Sequence, residues 1–183
     1  MKATILKITA LGLLLSLTAC VETTTPLCNQ ANKVDLPGME RTFSLDLFFD
    51  PSQPIQSLGV GIKRTGKGEY SVKTSEGNFP VSVCQFGNKK IMESQTKFGT
   101  YQQHVLSLQG GLFLNLMIID AQTLEKGRVP YRIEERTSEN ILGLNALQSE
   151  EKTKALVIDT SKAEDKNFIS NNSKAAALGF LFK

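Results

Sequence analysis

From Thr42 onward, apolar residues recur at every second position, and this period constrains the fold more than any other feature of the chain. In Phe43-Ser44-Leu45-Asp46-Leu47-Phe48-Phe49 every odd position is large and apolar. Tyr70 and Val72 alternate with Glu69, Ser71 and Lys73, and Phe79, Val81 and Val83 with Pro80, Ser82 and Cys84. Tyr131 and Ile133 alternate with Arg132 and Glu134. Successive side chains of a strand point to opposite faces, so this alternation specifies strands with one face in and one out. Asp46, on the polar side, reads as a solvated residue.

The punctuation between these segments is that of hairpins. Gly87-Asn88 and Gly110-Gly111 are favoured two-residue loops, and Thr65–Gly68 and Ser75–Asn78 mark two more turns. Leu112 to Ile119 (LFLNLMII) is apolar on both faces and predicts a central strand covered on both sides. Ala121–Arg128 reads as a loop, Asn140–Leu147 as a strand or short helix, and Lys154–Asp159 as a strand. Ser161-Lys162-Ala163-Glu164 has capping-box spacing and predicts a helical turn near residues 161–169. Ala175–Lys183, with Leu178, Phe180 and Phe182 at alternate positions, reads as a last strand. The expected fold is mainly β: one antiparallel meander of about 8–10 strands, a closed or nearly closed barrel with a two-sheet sandwich as the alternative. Leu36 to Phe43 (LPGMERTF) resembles the opening of lipocalin-like barrels, with Phe43 where those usually carry Trp and with a different spacing.

The first residues have a different character. Two lysines, Lys2 and Lys7, precede the apolar run Ile8 to Leu17, and small residues come after it. A basic start, a short apolar run and a small-residue site make a secretory signal. A helix needs roughly 20 apolar residues to span a bilayer, so this run is too short for a permanent anchor. Leu17-Thr18-Ala19-Cys20 resembles the lipobox of bacterial lipoproteins. The resemblance implies that residues 1–19 are removed, that Cys20 carries a diacylglycerol and that its new amino group is acylated. Two or more chains suffice for stable attachment. Val21, where retained lipoproteins carry aspartate, implies the outer membrane. Residues 20–35, beginning with the threonine-rich Val21–Pro26, are expected to be a tether, and residues 36–183 a single β-domain.

Removing 19 residues leaves 164, one domain's worth, with an ordinary core. Lys2 and Lys7 leave with the signal, so the 21 basic residues become 19 against 18 acidic. Near neutrality with no basic run argues against nucleic acid as a partner. With Cys20 spent on lipid, Cys28 and Cys84 are an even pair in an oxidising compartment and are expected to form a disulfide. One histidine and two distant cysteines supply too few ligands for zinc, so no metal or other cofactor is expected.

Chemistry-bearing motifs are sparse. Gly61–Lys67 fits seven positions of a phosphate-binding loop, but Gly68 stands where the magnesium-holding Ser or Thr belongs. Glu69–Thr74 then alternates as a strand where such a loop would open a helix, so the segment reads as a hairpin turn. His104, the single histidine, shares a strand face with Leu106 and Leu108; it is the candidate ligand-lining residue, and its simpler reading is a core residue. No G-x-S-x-G elbow nominates a nucleophile, and no catalytic residue is assigned. Lys63, Arg64, Lys67, Lys89 and Lys90 read as solubilising turn residues, and the sequon Asn171-Asn172-Ser173 carries little meaning in a bacterium. The expected function is a membrane-anchored envelope lipoprotein, a binding module for an apolar ligand or a protein partner. The alternatives are an envelope-acting hydrolase and an accessory scaffold of an outer-membrane assembly.

Overall fold

A computed structural model describes residues 20–50, 53–74, 77–108, 111–137 and 152–182. The expected signal, the 140–147 segment and the turn positions 75–76 and 109–110 lie outside these. The strands are β1 (Cys20–Thr23), β2 (Thr42–Asp50), β3 (Gln53–Gly66), β4 (Glu69–Thr74), β5 (Gly77–Phe86), β6 (Lys89–Gln95), β7 (Tyr101–Leu108), β8 (Leu112–Ile118), β9 (Tyr131–Thr137), β10 (Lys152–Ile158) and β11 (Lys174–Phe182). Among the described residues two helices, α1 (Ala121–Gly127) and α2 (Ala163–Asn172), come after β8 and β10 respectively.

All the described strands belong to one mainly antiparallel sheet, ordered β2-β3-β4-β5-β6-β7-β1-β10-β9, with β8 and β11 branching from β7. The branch has a simple cause. One edge of β7 is divided: Tyr101 and Gln102 pair with Thr23 and Glu22 of β1, while His104 to Leu108 pair with Leu116 to Leu112 of β8. The sheet therefore curls without closing as a barrel. β11 lies beside β2 but takes its hydrogen bonds from β8, and no β2–β11 register forms among the described residues.

Each face of the curled meander carries its own core, as period-two patterning requires. Inside the curl, Phe43, Val60, Ile62, Tyr70, Val72, Val81, Val83, Met92, Leu106, Leu112 and Leu114 pack into one cluster. Leu36 and Met39 enter it from the segment before β2, and the Tyr70 hydroxyl accepts the Leu36 N–H at 2.8 Å. On the outer face Cys84, Phe86, Ile91 and Met117 meet Val21, Leu27, Leu156, Leu124 and Ile169. The double-faced LFLNLMII segment thus spans both cores: Leu112 and Leu114 point into one, Met117 and Ile119 into the other.

Four expectations are corrected. Residues 20–35 are not a spacer: β1 is an inner strand between β7 and β10, and Val21, Glu22, Thr23, Leu27 and Cys28 are buried. The threonines that suggested solvation are also β-branched strand formers, and the Thr25 hydroxyl donates to the Thr160 carbonyl at 2.7 Å. Ala121–Arg128 is a helix, not a loop, because the Asp120 carboxylate caps it, accepting the Thr123 N–H at 2.7 Å, and Arg128 ends it in the left-handed region. The capping box at Ser161 does not form: α2 begins at Ala163 with Lys162 at its cap, and the Ser161 N–H turns back to Asp159. Ile133, expected on a half-buried face, is 59 % exposed on β9, which ends the strand order.

Gly68 shows why the glycine-rich turn is no phosphate loop. Its φ is +63°, and a Cβ there would stand 2.6 Å from the Val83 carbonyl oxygen, where β4 and β5 meet the crossing chain at Lys33 and Val34. Glycine is demanded by the hairpin itself.

Cys28 and Cys84 are at disulfide distance, with Cα atoms 5.4 Å apart and a sequence separation of 56. A crosslink of that span restricts the unfolded chain by about 4 kcal/mol in the chain-entropy account. The Cys28→Ser/Cys84→Ser protein should therefore unfold at lower urea, by about 2–4 kcal/mol, and dithiothreitol should destabilise the parent but not the variant. Equal midpoints with and without reductant would show that the two thiols are not joined.

Candidate functional site

The disulfide fixes what lies on the outer face of the meander. Cys84 alternates with Val83, so it points away from the inner core and draws residues 24–34 across β5 and β6. Backbone bonds continue the attachment: Val34 N–H donates to the Val83 carbonyl at 3.1 Å and Gln85 N–H to the Asn32 carbonyl at 2.9 Å. Beneath and beside this strap runs one polar row, in which Glu69, Ser82, Glu93 and Gln103 are successive cross-strand partners from β4 to β7.

Glu93 is the pivot of that row. It is 4 % exposed, and its carboxylate accepts the Leu27 N–H at 2.8 Å, the Cys28 N–H at 3.2 Å and the Gln103 Nε2–H at 3.1 Å. Gln103 also donates to the Thr23 hydroxyl at 2.7 Å, and the Thr100 hydroxyl donates to Glu22 at 2.6 Å. Burial pushes the Glu93 carboxyl up from its ordinary value, and the three donors pull it partly back. A carboxylate whose oxygens are occupied by backbone N–H groups holds a segment in place; it is poorly arranged for proton transfer.

Where the strap leaves the strands uncovered there is a groove of about 400 Å³. Its wall is mixed: Lys33, Glu69, Ser82, Glu93 and Gln95 stand beside Pro26, Pro80, Val81 and the rings of Tyr70 and Tyr101. Lys33 and Glu69 pair at 2.6 Å, and the other carboxyl of the wall, Glu93, is bonded to the strap. The remaining wall combines the neutral polar groups of Ser82 and Gln95 with two tyrosine rings and apolar surface, which suits a partner surface that is itself partly apolar.

The residues singled out from the sequence fall in three separate places. Cys20 begins β1, with its backbone in register with Ala155. Cys28 and Cys84 join the strap to the outer face beside the groove. His104 is on the other side of the sheet, 1 % exposed, opposite Met92 and Leu116 in register, and neither ring nitrogen has a hydrogen-bond partner. It is thus a core residue, and it does not reach the groove. Among the described residues no cluster of three or more His, Cys, Asp or Glu is placed to hold a metal ion. Glu93 and Gln103 were not evident in the sequence, where they look like ordinary outward positions of half-exposed strands. The one signal for them was Cys84: once bonded to Cys28, it requires chain to lie over that face.

Glu93→Ala leaves two buried N–H groups unpaired and should cost about 2–4 kcal/mol in urea unfolding; Glu93→Gln, which turns an amide toward one of those N–H groups, should rescue only part of this. Full stability in Glu93→Ala would show that the strap is held without it. Burial drives the His104 imidazole from its ordinary 6.5 down to about 4. The unfolded chain takes up a proton below about 6.5 that the folded protein refuses, so stability falls as pH drops from there through about 4. The loss approaches about 3 kcal/mol. His104→Leu should flatten that part of the stability–pH curve, and an unchanged slope would place the ring in water.

No protein-family model, curated protein or solved structure matches this chain, so its function rests on this geometry.

Proposed function

We propose that the protein is a lipid-anchored lipoprotein of the bacterial outer membrane whose mature domain works by binding a protein partner in the groove over β4–β6. The anchor half of this reading rests on the box Leu17–Cys20 behind a basic, apolar start. The binding half rests on one observation: the open groove is outside, while the inside of the curl is filled. Phe43, Tyr70, Met39, Met92, Leu112 and Leu114 are all fully buried within that inner cluster. A barrel-like interior either encloses a ligand or is filled by its own side chains. Here large side chains fill it, which favours a partner over an apolar small molecule. The hydrolase alternative would have to use Glu93, the buried carboxyl of the groove wall, and its oxygens are already engaged by Leu27, Cys28 and Gln103.

A photo-crosslinking residue at the exposed Gln95 position, in the full chain expressed in a Gram-negative cell, tests this reading. It should give an adduct of discrete size in the membrane fraction. Ser82→Arg, which fills the groove, should abolish the adduct, and Cys20→Ser should remove it from the membrane fraction. Absence of any adduct, together with hydrolysis of ester, peptide or glycan substrates by the purified domain, would replace binding with catalysis.

A further inference from the structure

We infer that Phe98, at the tip of the β6–β7 hairpin, is the anchor of the partner interface, and that the partner receives its ring in an apolar pocket with an acidic rim. The inference rests on the proposed binding of a protein partner in the groove and names that partner's chemistry. Among the described residues Phe98 and Ile133 are the exposed large hydrophobic side chains, and Phe98 is 41 % exposed. A single exposed apolar residue is ordinary on a protein surface. What sets Phe98 apart is the way its turn is built. The Thr96 N–H donates to the Thr100 carbonyl at 2.8 Å and the Gly99 N–H to the Thr96 carbonyl at 3.1 Å, with Gly99 at a φ of +80°. The Thr96 hydroxyl accepts the Phe98 N–H at 3.2 Å and is 2.7 Å from the Thr100 hydroxyl. That hydroxyl in turn donates to the buried Glu22 carboxylate at 2.6 Å, which ties the turn to β1. A ring held out on a fixed turn loses little freedom on binding, which is the property of an interface anchor.

Two registers place the tip. Its base is the Gln95–Tyr101 pair, and both residues belong to the groove wall, so Phe98 adjoins the groove from either strand. Tyr101 also pairs with Thr23, at the opposite end of β1 from Cys20. Anchor and tip are therefore at opposite ends of one strand, roughly 10 Å apart before the turn itself is added. That separation favours a protein over the anchoring bilayer as the acceptor of the ring. Charge gives the pocket its rim. Lys97 is the one charged residue from Gln95 to Tyr101, and its ammonium is 5.0 Å from the Phe98 ring centroid. An acceptor that takes the ring takes this cation with it, and burying a cation is unfavourable unless a carboxylate meets it.

The test uses the full chain with the photo-crosslinking residue at the Gln95 position, expressed in a Gram-negative cell. Phe98→Ala should lower the yield of the discrete adduct by roughly tenfold or more. Lys97→Glu should lower it by roughly threefold or more, and Lys97→Arg should retain it. The urea midpoint of each purified variant should stay at the parent's. Benzoylphenylalanine in place of Phe98 should itself give an adduct with the same protein. An undiminished adduct from the Gln95 position in Phe98→Ala would overturn the anchor while leaving the groove reading intact, and so would a probe at the Phe98 position that joins only to lipid. An undiminished adduct in Lys97→Glu would overturn the acidic rim. Should the parent give no adduct from the Gln95 position, the groove reading falls and this inference with it.

Discussion

The fold depends on how residues 20–34 are held against the outer face of the meander. Without them β7 has an unpaired stretch of edge, β10 loses its parallel neighbour, and β9 and β10 have no route into the sheet. Three kinds of force converge on that segment. Strand pairing places β1, the Cys28–Cys84 pair ties the strap to β5, and the Glu93 carboxylate satisfies the N–H groups of Leu27 and Cys28. Each needs the others. A buried carboxylate is costly unless its oxygens are bonded, and the strap supplies those bonds only where the disulfide and β1 hold it.

This arrangement explains why one sheet supports two cores. A meander with strict alternation can bury one face by curling on itself, as Phe43, Tyr70, Met92 and Leu114 do. β5 and β6 break strict alternation, because Cys84, Phe86 and Ile91 are apolar on the second face. That second face needs a cover, which the strap, β10, α1 and α2 provide. The groove lies where the cover ends, so its wall includes Glu69, Ser82 and Glu93 of the polar row that anchors the strap. Binding surface and structural pivot are adjacent because both arise from one boundary.

His104 marks the opposite extreme. It occupies an inner-facing position next to Leu106 in the strand pattern, and burial keeps its ring neutral without a hydrogen-bonding partner. Its singularity in the sequence suggested function, yet its place in the curl gives it access to neither groove nor solvent. The local residues that mattered more, Glu93 and Gln103, carry no motif. They are polar positions on alternating strands, and only the chain lying over them turns ordinary outward residues into a buried network.

The sequence alone determined what depends on near neighbours. Alternation at Phe43, Tyr70 and Val81 and the Gly87-Asn88 turn specify strands and hairpins, because side-chain direction and turn conformation are set within a few residues. The cysteine pair was legible too, since with Cys20 read as a lipid site only Cys28 and Cys84 remain to pair. The tertiary structure decided everything that requires knowing which surface meets which. It decided that Val21–Thr23 is an inner strand and not a spacer, that β8 and β1 share one edge of β7 so that the curl stays open, and that Asp120 starts a helix. It also decided that Glu93 faces backbone N–H groups and not water. A Thr-rich stretch has the same composition in solvent as in a sheet, and a carboxylate on an alternating strand looks the same covered or bare. Burial is a property of the partner surface, and the partner in each case comes from a distant part of the chain.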